Sequence, residues 1–170
     1  NWQNNNKMKY RVITCALAII TFLSAFAGKK ADKETLAWRY EVQDLNIVAK
    51  NGKDVIFKIW SYSKKENTAL MQAGKNAVHA VIFKQIGYNP ALVGTESVEL
   101  EYEAFFRSFF ADGGEYMRFV QLANNGAVAP SDKIKLQKEF KIGVKVTVNR
   151  ADLRKYLDEH GIIKSMNSIF

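Results

Sequence analysis

The sequence predicts an α+β fold in which helices pack mainly on one face of an antiparallel sheet of about four strands. Three observations indicate this class. Strand patterns at the start and near the end of the chain flank two helical patterns, the first two strands are joined by a tight turn, and the last strand alternates apolar and polar residues. The predicted order is ββααββα, and 170 residues suit one domain.

The first two strands are predicted over residues 36–49 and 54–63. The apolar positions change parity near Gln43-Asp44, which predicts a bulge there. Asn51-Gly52 between the strands is a strong hairpin signal. On the second strand Val55, Phe57 and Ile59 share one face. The other face is half apolar, so we expect something to cover part of it.

Two helices are predicted next, over residues 66–86 and 96–111. The first carries small residues at steps of four, which let a helix lie close to a sheet, and Asn67-Thr68 are expected to cap its start. Gly87 is expected to end it, and Gly113-Gly114 to end the second.

The last third predicts a short strand over 116–123, a long strand over 134–148 and a helix over 151–160 capped by Asn149. The long strand places Phe140, Ile142, Val144, Val146 and Val148 on one side and Lys141, Gly143, Lys145 and Thr147 on the other. One packed face and one wet face are expected from this alternation.

Residues 8–27 are predicted to be a signal peptide, with a basic start, an apolar run from Val12 and the small-residue site Ala25-Phe26-Ala27. Residues 1–7 are expected to be upstream or vector-derived sequence, and 28–170 the single α+β domain. The predicted location is therefore periplasmic, envelope or extracellular. An uncleaved anchor is the alternative, and membrane contact is expected only in that case.

The hairpin leading into an alanine-rich helix, Thr68 to Val78, and the late strand running into a terminal helix carry a resemblance. This layout resembles the N-terminal domain of the bacterial flagellar assembly protein T and related small envelope lipoproteins. The resemblance implies a non-enzymatic envelope or assembly role and transfers no functional residue.

Composition and motifs argue against common chemistries. The chain has one Cys, inside the predicted leader, and two His, and it lacks nucleophile-elbow and phosphate-loop motifs. We therefore predict no enzymatic activity, no cofactor and no metal site. His79 has no carboxylate or second His within one turn of its own helix, so it is expected at the edge of the core or on the surface. Glu96, Glu99 and Glu103 share a helix face, for which complementing the helix dipole is favoured over binding a cation.

The leading functional hypothesis is a protein-interaction or assembly module that binds an envelope protein or itself. It rests on adjacent aromatic pairs in the second helix, which span too wide an arc for a single buried stripe. The helix is thus either buried between layers or exposes an edge to a partner. The candidate binding residues are Phe105, Phe106, Phe109 and Phe110.

The alternative is a small-ligand or glycan binder that stacks its ligand on Trp60 and Tyr62, flanked by Lys58, Lys64 and Lys65. Nucleic acid is not an expected partner of an exported protein. Five further lysines follow one stretch (Lys133, Lys135, Lys138, Lys141 and Lys145). These are interpreted as the wet face of the last strand, where they would also discourage edge pairing.

Overall fold

A computed structural model describes residues 38–94 and 96–163, with the Glu96 side chain excepted. Within these residues the chain forms an antiparallel sheet and four α-helices, which confirms the predicted α+β class. The strands are β1 (Tyr40–Val48), β2 (Asp54–Ser63), β3 (Val120–Leu122), β4 (Lys133–Lys135) and β5 (Phe140–Asn149). The helices are α1 (Glu66–Phe83), α2 (Glu96–Glu101), α3 (Glu103–Phe109) and α4 (Arg150–Glu159). The predicted signal peptide lies outside the described residues.

The first hairpin forms as predicted. β1 and β2 pair antiparallel, with a register shift between Asp44 and Ile47, so the expected bulge is confirmed. The connecting turn has Gly52 at φ +61°, a left-handed conformation that glycine adopts without strain, and the Gly52 amide donates to the Ala49 carbonyl.

The sheet is centred on β2 and β5, in the order β1-β2-β5-β3, and β4 pairs with the other half of the same β5 edge. The single strand predicted over 134–148 is thus two strands, because the chain turns back at residues 136–139 and Leu136 N–H donates to the Glu139 carbonyl. The sequence suggested that the lysines of β5 discourage pairing at a free strand edge. This interpretation is wrong for β5, because the strand has partners on both sides.

The alternation on β2 and β5 divides the sheet into two faces. The packed face carries the buried residues Val55, Phe57, Ile59, Ser61 and Ser63 of β2 and Ile142, Val144, Val146 and Val148 of β5. The open face carries Ile56, Lys58, Trp60 and Tyr62 of β2 and Lys141, Gly143, Lys145 and Thr147 of β5. Apolar side chains from all four helices join the packed face in one core.

Helix α1 lies on the packed face, and almost its whole surface is buried. Ala69, Ala73 and Ala77 are fully buried, as their spacing predicts. The predicted Asn67-Thr68 cap is wrong: Lys65 is the N-cap residue and offers no side-chain hydrogen bond. In contrast, Asn149 caps α4 as predicted, because its Oδ1 accepts from the Asp152 amide at 3.0 Å.

The second predicted helix is interrupted at Tyr102, whose backbone departs from helical angles, and this separates α2 from α3. The predicted strand over 116–123 is mostly a 3-10 helix, Glu115–Phe119, followed by the short β3. Tyr116 and Phe119 are buried in this segment, so the apolar residues that suggested a strand belong to a short 3-10 helix. In the described part of the chain, no helix is long and apolar enough to cross a membrane.

Candidate ligand-binding face of the sheet

Trp60 dominates the open face. Its cross-strand neighbour on β5 is Gly143, and a Cβ added at that glycine would come within 2.8 Å of the indole ring. The indole therefore lies against the backbone of Gly143, and it can cross β5 there because the glycine has no side chain. The side chain remains partly exposed, and Tyr62 follows it on the same face.

Polar groups fix the edges of both rings. Trp60 Nε1 donates to Gln43 Oε1 at 3.0 Å, and the Tyr62 hydroxyl donates to Glu41 Oε1. Lys141 Nζ donates to the other oxygen of Glu41 at 2.7 Å. Both β1 residues lie on the open face because Glu41 is paired with Trp60 in the strand register. These bonds restrict the rotamers of the two aromatic side chains.

Cations surround the rings, but each is held near a carboxylate. Lys141 Nζ lies 5.2 Å from the Trp60 ring centre and 5.4 Å from that of Tyr62, and Arg39 lies 4.6 Å from the Tyr62 ring. Lys58 approaches Trp60 and also bonds Asp132 at 2.6 Å.

Arg39 in turn forms a two-pronged ion pair with Glu139, at 2.7 and 2.5 Å. Each of these three cations is therefore paired with a carboxylate, and the charges compensate one another locally.

The shared contacts shift the protonation equilibria of this face. Hydrogen bonds from Lys141 and Tyr62 lower the pKa of Glu41, and the bond to Glu41 raises the pKa of Lys141. Burial, followed by the bond to Glu41, raises the pKa of Tyr62. The face thus keeps Tyr62 neutral and Glu41 and Lys141 charged over the ordinary pH range.

Of the three lysines predicted to lie beside Trp60 and Tyr62, the structure places only one next to a ring. Lys58 lies beside Trp60 as expected, whereas Lys64 and Lys65 are exposed in the turn that leads to α1. Sequence reasoning missed Arg39, Glu41, Gln43 and Lys141 as neighbours of the rings. Counting residues back from the Asn51-Gly52 turn could have placed Glu41 near Trp60, although the bulge shifts that count.

The four phenylalanines of the interaction hypothesis lie at an internal junction. Phe106, Phe109 and Phe110 are buried, and Phe105 is partly exposed. Phe106 contacts Phe83 of α1, whereas Phe105 and Phe109 contact Tyr156 of α4. The wide apolar arc therefore arises because α3 packs between two helices, which is the first of the two readings that the sequence left open.

His79 has the carboxylate partner that its own helix does not supply. Glu99 Oε2 of α2 lies 3.3 Å from His79 Nε2, and the Tyr40 hydroxyl lies 2.7 Å from Nδ1. The expected edge position is wrong, since the side chain is 2 % exposed. The sequence could not reveal this contact, because α2 reaches His79 only through the tertiary fold.

Trp38 closes the same cluster. Its indole stacks on the His79 ring with centres 3.7 Å apart, and its Nε1 donates to Glu99 Oε1 at 2.7 Å. Phe83 and Phe110 approach the imidazole from other directions. The imidazole is enclosed by rings, so we interpret the cluster as a structural tie between β1, α1 and α2.

The acidic residues of the second predicted helix separate in the fold. Glu99 faces His79, and Glu103 pairs with Arg107 on the surface. Among the residues that the structure describes, no group of three or more His, Cys, Asp or Glu side chains is placed to hold a metal ion.

Comparisons with known proteins leave the local geometry as the basis for functional reasoning. No protein-family model matches the chain, and neither the curated proteins nor the solved structures give a match.

Proposed function

We propose that this protein is a non-enzymatic binding domain, exported to the envelope or beyond, that holds a neutral glycan against Trp60 and Tyr62. The observation that carries the proposal is the Trp60 indole laid across Gly143 with hydrogen-bonding groups at its edge. A sugar ring presents C–H groups on its faces and hydroxyls around its rim. The negative face of an aromatic ring attracts such C–H groups, and fixed polar side chains can meet the hydroxyls.

The charge pattern of the open face favours a neutral ligand over an anionic one. Lys58, Lys141 and Arg39 each pair with a carboxylate, so an anionic ligand would have to compete with those carboxylates. A neutral sugar needs no such exchange, and it can accept from the lysines and donate to Glu41 together. The predicted leader agrees with a glycan ligand of either charge, since glycans are common partners outside the cytoplasm.

The test is a titration of the full chain with neutral and anionic tetrasaccharides, followed by tryptophan fluorescence and calorimetry. Chitotetraose and cellotetraose represent the neutral class, and tetragalacturonate represents the anionic one. We expect a neutral tetrasaccharide to shift the emission of the parent chain, and we expect Trp60→Ala, which removes the reporting indole, to abolish the heat of binding in calorimetry. Tyr88→Ala is the matched control, because Tyr88 is fully exposed and lies outside the open face.

Flat titrations with both neutral sugars would contradict the glycan proposal, as would equal binding by Trp60→Ala. Tighter binding of tetragalacturonate would show that the paired cations open to an anion, against the charge argument.

A second candidate is the protein-interaction or assembly module. Its support is now the exposed Leu100 of α2, with 79 % of its surface accessible, and the partly exposed Phe105 of α3. Sedimentation of the full chain tests self-association: a dimer that Leu100→Asp dissociates would favour this candidate. A monomer at all concentrations would remove self-association as its basis.

A further inference from the structure

The ammonium group of Lys141 approaches both aromatic rings of the open face. Trp60 and Tyr62 are two residues apart on β2, so their side chains leave the same face of the sheet about 7 Å apart. Lys141 Nζ lies 5.2 Å from the Trp60 ring centre and 5.4 Å from that of Tyr62. The ammonium is therefore almost equally distant from the two rings, and a chain of sugars that continues from Trp60 to Tyr62 passes beside it.

Two neighbours hold this ammonium in place. It donates to Glu41 Oε2 at 2.7 Å and also bonds the Tyr62 hydroxyl, and these contacts raise the pKa of Lys141. An ammonium carries three N–H groups, so one donor remains for a ligand. Both oxygens of Glu41 already accept a hydrogen bond, one from Lys141 and the other from the Tyr62 hydroxyl. Beside the two rings the face thus offers a charged donor whose own carboxylate partner is engaged.

A second ammonium flanks the indole from the opposite direction. Lys58 precedes Trp60 by two residues on β2, whereas Lys141 is the cross-strand neighbour of Tyr62. Lys58 Nζ lies 5.4 Å from the Trp60 ring centre and bonds Asp132 at 2.6 Å. A cationic group stacked near Trp60 would therefore meet positive charge on both sides, while the two nearest carboxylates are already paired with the lysines.

The position of Lys141 assigns a class of sugar, and this assignment rests on the proposed glycan function. We infer that Lys141 selects sugars with an acetamido group at carbon 2, next to the linkage, over sugars with a hydroxyl or an amine there. The acetamido carbonyl is a strong acceptor, and it would take the remaining N–H of Lys141 in a charge-assisted hydrogen bond. A hydroxyl is a weaker acceptor, and an amine that is protonated in weakly acidic solution is repelled by Lys58 and Lys141.

The experiment is a calorimetric titration of the full chain, in weakly acidic buffer, with three tetrasaccharides that share one linkage and differ only at carbon 2. Chitotetraose carries the acetamido group, cellotetraose the hydroxyl, and the glucosamine tetramer the ammonium. We expect chitotetraose to bind about tenfold more tightly than cellotetraose, since one hydrogen bond to a charged group supplies a difference of this size. The glucosamine tetramer should bind most weakly.

A pair of variants connects the preference to Lys141. Lys141→Met keeps a side chain of similar length but removes the ammonium, so the preference for chitotetraose over cellotetraose should disappear while Trp60 still binds both sugars. Lys145→Met is the matched control, because Lys145 is an exposed lysine on the same face of β5, two residues beyond Gly143. It should leave the preference unchanged. Each preference is a ratio measured on one variant, so a general loss of affinity or stability does not imitate its disappearance.

Equal affinity for chitotetraose and cellotetraose would overturn this inference and leave the glycan proposal standing. A preference that persists in Lys141→Met would do the same, as would tightest binding of the glucosamine tetramer. Binding of none of the three sugars would contradict the glycan proposal itself, and this inference with it. The two failures are therefore distinguishable.

Discussion

The two faces of the central strands β2 and β5 are stabilised in different ways, although successive residues of the same strands contribute to them in turn. On the packed face, Phe57 and Ile59 are fully buried and their neighbours on β5 are aliphatic. On the open face, the Trp60 ring lies against Gly143, and Lys58 and Lys141 each pair with a carboxylate. The stability of the packed face therefore depends on the buried volume of its side chains, and that of the open face on a few specific side-chain pairs. Substitutions on the two faces should differ in how much they lower the free energy of unfolding and in whether their effects are additive.

The largest expected effect is on the packed face. Phe57→Ala removes a fully buried ring and should lower the free energy of unfolding by about 3–5 kcal/mol. Tyr62→Ala on the open face should cost about 1 kcal/mol or less, because it removes a partly exposed cross-strand contact. Urea denaturation of both variants checks this contrast, and equal losses would contradict it.

The next effect concerns a buried phenol in the core. Burial, with a smaller contribution from Asp112, raises the pKa of Tyr116 to about 12, compared with about 10 in an unfolded chain. The resulting stability is fully present below about pH 10 and is lost as the pH rises toward 12. Between these values the parent chain should lose on the order of 2 kcal/mol more than Tyr116→Phe. Denaturant titrations across the alkaline range test this, and parallel curves would contradict it.

A smaller effect tests the Trp60–Gly143 contact directly. Gly143→Ala places a methyl group against the indole and should destabilise the fold by about 1 kcal/mol. In a Trp60→Ala background the clash is absent, and the same substitution should stabilise by about 0.5 kcal/mol, since glycine is a poor strand residue. A double-mutant cycle measures this reversal of sign. Additive effects would show that the ring does not rest on the glycine.

The smallest effect is electrostatic. Because its native pKa is lowered by Lys141 and Tyr62, Glu41 contributes stability above its unfolded pKa of about 4.3, and this is lost as the pH falls through the lower native value. Solvent screening keeps the contribution below about 1 kcal/mol. Glu41→Gln should lose less stability than the parent chain between about pH 5 and pH 3. The same dependence of stability on pH in Glu41→Gln and in the parent chain would show that the Glu41 contacts do not stabilise the fold.

Local signals predicted the elements that depend on local physics. Period-two alternation identified β2 and β5, Asn51-Gly52 identified the hairpin, and Asn149 identified the start of α4. The helix break at Tyr102 and the turn before β5 were not predicted, because an apolar pattern continues across each of them. Sequence spacing gives no warning where tertiary packing bends a chain.

The candidate sites were less accessible to sequence reasoning. Trp60 and Tyr62 could be named as an exposed pair, but Gly143 and Lys141 reach them only through the long-range pairing of β2 with β5. Glu99 meets His79 only because the tertiary fold packs α2 against α1. Contacts of this kind have no periodicity to detect.

The central position of β5 also determines when the sheet can be completed during synthesis. β1, β2 and α1 emerge from the ribosome well before the strand that pairs with the inner edge of β2. Until β5 arrives, that edge offers unpaired backbone groups to any other extended chain. Pairing so distant in sequence favours slow, late folding. The nascent chain should therefore need a chaperone most in the interval between the two central strands.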